Sequence, residues 1–190
     1  MNLHLCPATI TMAALLAAMP GVRAQAQEAG ANSPITPSPA HERLAVFEGS
    51  WIEAGAPADR ASRDSCAWLV GGRRHMICRR VTASATGSRE LMMIYSYRRS
   101  DSTYTVSVLL PGGQVWQYAG RPEGNRWVLY FVNDRPEGAP RLRQVITTVA
   151  DTLHFVEEAS VSDGPWLLTD ASEDYRYVRA RSTPAVGGRR

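Results

Sequence analysis

The sequence predicts an all-β protein: an up-and-down antiparallel β-barrel of about ten strands behind a short N-terminal helix. Three observations carry the prediction. Ten successive segments are rich in Val, Ile, Thr and aromatic residues, and most alternate with a two-residue period. The joints between them are short and built from Gly, Pro, Asn, Asp and Ser, so neighbouring strands must run antiparallel. No helical pattern of useful length interrupts the series. A meander of this size removes its exposed edges most simply by closing into a barrel, with a two-sheet sandwich as the competing arrangement.

The chain opens on a segment that this fold does not need. Ala8 to Met19 is an apolar run too short to cross a bilayer. Pro20-Gly-Val-Arg-Ala24 follows, with Val22 and Ala24 at the two positions a signal peptidase reads. Residues 1–24 are therefore expected to be an export signal cleaved after Ala24, with cleavage after Ala26 as the alternative. Positive charge ahead of the run is limited to the amino terminus and His4, so an uncleaved anchor is the competing reading. Residues 25–40, with Pro34, Pro37 and Pro39, have too little apolar surface to offset their ordering entropy and are predicted to be a disordered linker. Residues 181–190 are expected to be a flexible tail of the same kind. One domain, residues 41–180, lies between them and is long enough to bury a proper core.

Within that domain, His41 to Phe47 carries apolar Leu44 and Phe47 at helical spacing and predicts one or two turns of helix ahead of Gly49-Ser-Trp51. The expected strands are then Gly49–Ala54, Ser62–Val70, Arg74–Ala83, Glu90–Tyr97, Thr103–Leu110, Gln114–Gly120, Arg126–Val132, Arg141–Ala150, Thr152–Ser160 and Trp166–Val178. Turn chemistry separates them, as in Pro111-Gly-Gly113, Pro122-Glu-Gly-Asn125 and Ser162-Asp-Gly-Pro165.

Cys66-Ala-Trp-Leu-Val-Gly-Gly-Arg-Arg-His-Met-Ile-Cys78 reads as a hairpin folded on Gly71-Gly72, which supply positive φ at no steric cost. A three-residue loop, Gly71 to Arg73, sets Trp68 opposite Met76 and Cys66 opposite Cys78, within disulfide reach. A two-residue turn would instead place Cys78 on the other face. Cys6 leaves with the leader, so the two remaining cysteines of an exported chain are expected to pair; two buried free thiols are the alternative. The spacing offers no Cys-x-x-Cys redox pattern.

Gly49-Ser-Trp51 after a short helix, followed by a long meander, resembles the lipocalin-like (calycin) barrels. Trp68-Leu-Val-Gly-Gly-Arg73, a strand, and then Ile94-Tyr-Ser-Tyr97 ahead of a polar turn and Tyr104 are similar to the domain-of-unknown-function 1579 family. The resemblance spans roughly Leu44 to Val178. It departs at Arg74, where an aromatic or apolar residue is usual. It implies a barrel with a ligand cavity and brings no catalytic residues.

The chemistry-bearing residues form no known constellation. His41, His75 and His154 have no metal-ligand spacing, and neither a nucleophile elbow nor a dinucleotide fingerprint occurs. Glu157 and Glu158 fall on opposite faces of one strand. His154 is a candidate axial ligand for haem, as in nitrobindin-like barrels, only if it faces inward; Leu153 and Phe155 make the opposite face the apolar one. Arg141 and Arg143 are expected on an outward face, with Leu142 and Gln144 inward. The chain carries 21 basic and 18 acidic residues. All the basic ones are arginine, scattered among acidic residues, whereas a nucleic-acid surface concentrates them in a stripe.

The expected function is a non-enzymatic, periplasmic or secreted bacterial protein that holds a small apolar or amphipathic molecule. Trp51, Trp68, Tyr95, Trp116, Tyr118 and Trp127 are the candidate cavity or barrel-end aromatics. No cofactor, no nucleic acid and no membrane span after signal cleavage are expected. A haem-binding barrel and a small-molecule enzyme with its site inside the barrel are the alternatives.

Overall fold

Alternating side chains force a chain with this pattern to choose an inside and an outside, and the strands close into a ring that separates the two. The computed structural model describes residues 37–69, 72–84, 87–170 and 174–180. The expected leader, most of the 25–40 linker, the 181–190 tail, and Val70 and Gly71 of the hairpin turn lie outside the described residues.

A helix α1 (Pro39–Glu42) runs into a 3-10 turn (Arg43–Phe47). Strands β1 (Gly49–Glu53), β2 (Arg63–Trp68), β3 (His75–Ser84), β4 (Gly87–Arg98), β5 (Thr103–Leu109), β6 (Val115–Glu123), β7 (Arg126–Phe131), β8 (Arg141–Val149) and β9 (Thr152–Ser160) follow. Each of these pairs antiparallel with its sequence neighbour. The ring is closed by β11 (Asp174–Arg179), which lies between β9 and β1. The two-residue β10 (Leu167–Leu168) pairs with β9 beyond the end of β11. The result is a lipocalin-like, closed antiparallel barrel of ten strands with, among the described residues, one short helical segment.

Three elements differ from expectation. The helix begins at Pro39, two residues early, because Pro39 occupies the first helical position, where its missing N–H costs nothing. Ser38 caps it, its hydroxyl 2.8 Å from His41 Nδ1. Strand β6 runs on through Pro122, which sits opposite Trp127, so the turn tightens to Gly124-Asn125. The expected strand Trp166–Val178 is split. Leu168 faces Glu158 whereas Asp174 faces Val156, leaving five residues against one. Thr169 causes the departure by directing both its N–H and its hydroxyl onto the Glu157 carbonyl, at 3.0 and 3.1 Å.

One end of the ring is plugged. Leu44 and Phe47 of the helical segment are buried among Tyr95, Trp127 and Trp51, with Phe47 stacked 4.6 Å from Tyr95. The Trp51 indole donates to the Phe47 carbonyl at 2.8 Å, and the Tyr104 hydroxyl to that of Ala40 at 2.8 Å. Gly120 lets β6 and β7 approach: a Cβ there would lie 1.8 Å from the Val128 carbonyl oxygen. The helical plug leaves the opposite end of the barrel, around Glu53, Arg89, Leu110 and Trp116, as the place where a cavity remains.

Candidate functional site

That cavity holds about 470 Å³, within the range of small-molecule sites. Alternation on each strand sets its lining. Leu91 and Met93 from β4, Val108 from β5, Leu110 just beyond it, and Trp116 from β6 form an apolar wall. Ser62, Arg80, Thr82, Gln144, Glu157, Tyr175 and Tyr177 supply a polar wall, and Glu53, Arg60 and Arg89 line the mouth.

Arg80 anchors the polar side. Its Nε and Nη2 each donate to an oxygen of Asp64 at 2.8 Å, a two-pronged pair with Asp64 only 4% exposed. Its guanidinium lies 4.7 Å from the Tyr177 ring centre and 5.3 Å from those of Phe155 and Tyr175, where the ring faces favour positive charge. Nη1 donates to the Tyr175 hydroxyl at 3.4 Å. Burial pulls the guanidinium toward deprotonation, but the hydrogen bonds and charge of Asp64 outweigh it and hold Arg80 well above its ordinary value. The pair therefore enters the cavity as a neutral unit with fixed donors.

The other polar groups are linked around it. The Ser62 hydroxyl lies 3.1 Å from that of Thr82. Burial raises the Tyr177 phenol, so it stays a neutral donor. The Tyr118 hydroxyl donates to Glu157 Oε2 at 3.4 Å, and the Ser62 N–H donates to Glu53 Oε2 at 2.9 Å. Glu157 faces Gln144 across β8 and β9. Together these groups can hydrogen-bond one edge of a guest while the far wall takes an apolar body.

The candidate aromatics divide between the two ends. Trp116 and Tyr118 line the cavity. Tyr95 and Trp127 pack on Phe47, and Trp51 lies beneath the Arg179 guanidinium at 4.2 Å; all three belong to the plugged end. Trp68 also sits there, its indole donating to Glu48 at 3.1 Å with Arg73 at 4.9 Å over its ring. Cys66 and Cys78 are directly opposed and disulfide-bonded, with Cα atoms 4.0 Å apart.

His154 lies on the outer face of β9, 2.5 Å from Asp174 Oδ1, while Leu153 and Phe155 are buried inside. The turn before it is a two-residue one, with Val149 opposite Thr152, so no bulge reverses the phase. From there His154 cannot give the cavity an axial ligand. His41 is buried in the plug and His75 is exposed beside Ser96. Glu158 points outward to Arg143 at 2.6 Å, opposite in sense to Glu157. Arg141 and Arg143 are likewise external, both lying over Trp166, while Gln144 faces the cavity. Among the described residues no three His, Cys, Asp or Glu side chains are grouped to hold a metal ion.

Asp64, Arg80, Tyr175 and Tyr177 are site residues that periodicity alone does not single out. No family model matches the chain and no curated protein matches it either, so its family resemblance rests on the sequence motifs alone.

Proposed function

We propose that this chain is an exported, non-enzymatic binding protein that holds a small amphipathic molecule in the open end of its barrel. The two-sided lining of the cavity carries the reading. A wholly apolar guest would strip water from Arg80, Gln144, Glu157 and the tyrosine hydroxyls without replacing it, at a cost of roughly 1–3 kcal/mol per unsatisfied group. A wholly polar guest would forgo the wall of Leu91, Met93, Val108, Leu110 and Trp116. A molecule with one polar edge satisfies both sides. Export is supported by the leader pattern and by the Cys66–Cys78 disulfide, which persists in oxidising compartments.

Native mass spectrometry of protein purified from its own cells is expected to show a small molecule that dissociates on denaturation. Repeated preparations without one, together with an experimental structure whose interior is filled, would discard the reading. Edman sequencing of the same material is expected to begin at Gln25.

Catalysis is a second reading, favoured by the inward Glu157 carboxylate with Tyr118 and Gln144 around it. It requires the recovered molecule to be converted when supplied in excess; its return unchanged leaves binding.

A further inference from the structure

Four of the five tryptophans have a ring or a guanidinium against them: Trp51, Trp68, Trp127 and Trp166. Trp116 has neither among the described residues, although it lines the cavity and is 41% exposed. An indole face left open at the mouth of a cavity is a stacking surface without an occupant.

The charged groups of the lining, which include the carboxylates Glu53 and Glu157 as well as three arginines, differ in how they are engaged. Arg80 is neutralised by Asp64, Glu53 accepts from Ser62, and Glu157 accepts from Tyr118. Arg89 lines the same cavity with no hydrogen bond or ion pair among the described residues. Among the described residues the Arg60 side chain is paired only with its chain neighbour Asp59, at 4.0 Å. These two cations occupy one sector of the mouth. Arg89 stands opposite Thr82, whose hydroxyl meets that of Ser62, two residues after Arg60. Between them and the indole runs the apolar wall. Val108 is directly opposite Trp116, and the β4–β5 register that pairs Met92 with Leu109 brings Leu91 beside Leu110.

We infer that the cavity takes a small aromatic anion, its ring against Trp116 and its charge at Arg89 and Arg60. The inference rests on the binding reading above and specifies its ligand class. A guanidinium engages a carboxylate or sulfonate through paired N–H donors, and the ring gains the indole face together with the apolar wall. A neutral arene uses only half of this arrangement. An aliphatic anion uses the other half, and an aromatic cation forgoes the paired N–H donors of Arg89.

Titration calorimetry of the full chain with naphthoate, naphthylmethanol, naphthylmethylammonium and decanoate tests it. Naphthoate is expected to bind at least about tenfold more tightly than each of the others, with affinity falling as salt rises. Arg89→Gln and Trp116→Leu are each expected to lose about tenfold, and Trp116→Phe to recover most of its loss. Both positions are exposed, and unchanged thermal midpoints would confirm that the variants fold. Equal binding of naphthoate and naphthylmethanol, or naphthoate binding unaffected by either variant, overturns the aromatic-anion inference and leaves the binding function standing. Binding of none of the four at millimolar concentration likewise overturns the aromatic-anion inference, while the binding function is decided by the native mass spectrometry described above.

Discussion

Asp64 and Arg80 face each other across β2 and β3, one step along the inner face from the Cys66–Cys78 bond, and their side chains form a two-pronged ion pair closed off from water. Removing one partner leaves the other charge buried and uncompensated. Asp64→Ala is therefore expected to destabilise the fold by about 3–5 kcal/mol, and the paired replacement Asp64→Leu with Arg80→Met by clearly less. Urea denaturation of the three proteins checks both. A double variant as unstable as the single would mean that the pair contributes more than the cancellation of its own desolvation.

This pair was within reach of the sequence, because the register that sets residue 66 against 78 also sets 64 against 80. What the local pattern lacked was phase. Arg79 and Arg80 are identical neighbours, and only the inward disulfide two residues away decides which of them turns inside. On β9 the phase was legible, since Leu153 and Phe155 outweigh His154 and Val156 in apolar bulk. The break between Leu168 and Asp174 was not, because it depends on Thr169 taking a carbonyl on another strand. Nor does composition separate Tyr95 from Trp116. One becomes core because Phe47 stacks on it, and the other remains at the mouth because no helix among the described residues covers that end.

The disulfide itself is a modest staple. It links residues 12 apart in sequence that the hairpin already brings together. The chain-entropy limit for so short a loop is about 3 kcal/mol, and replacing both cysteines by alanine is expected to cost less than this. Intact mass should rise by two hydrogens on reduction of the unfolded chain, and an unchanged mass would show that the thiols are free.

Gly120 makes a sharper demand. Its missing side chain leaves room for the Val128 carbonyl, which an added Cβ would meet at 1.8 Å, a backbone contact that no rotamer can relieve. Gly120→Ala must spread β6 from β7 and break their register. It is expected to lose on the order of 3 kcal/mol or more, or to prevent folding. Gly112→Ala, where nothing lies within 4 Å and φ is not positive, is the matched control and should melt within a few degrees of the parent. Equal melting of the two variants would contradict the close approach.

The plug of the barrel should loosen in mild acid through His41. Burial first, then the positive charges of Arg99, Arg74 and His75, hold its imidazole below the ordinary value of 6.5, against a smaller opposing pull from Glu42. The ring is buried, 5.3 Å from that of Tyr97 and hydrogen-bonded to the Ser38 backbone N–H. A base whose folded pKa is depressed is protonated more readily in the unfolded chain. Its stabilising contribution is thus complete above pH 6.5 and is lost as pH falls through the lower folded value. The slope cannot exceed that of one proton. It is also separable from the exposed pairs, since Asp101, held down to about 2 by its hydrogen bond to Arg98, loses its contribution only in much stronger acid. Thermal midpoints between pH 7.5 and pH 5 are expected to fall for the parent and to stay flatter for His41→Gln, which retains a polar group but cannot ionise. Parallel curves for the two proteins would place the acid sensitivity elsewhere and leave His41 as a neutral packing residue.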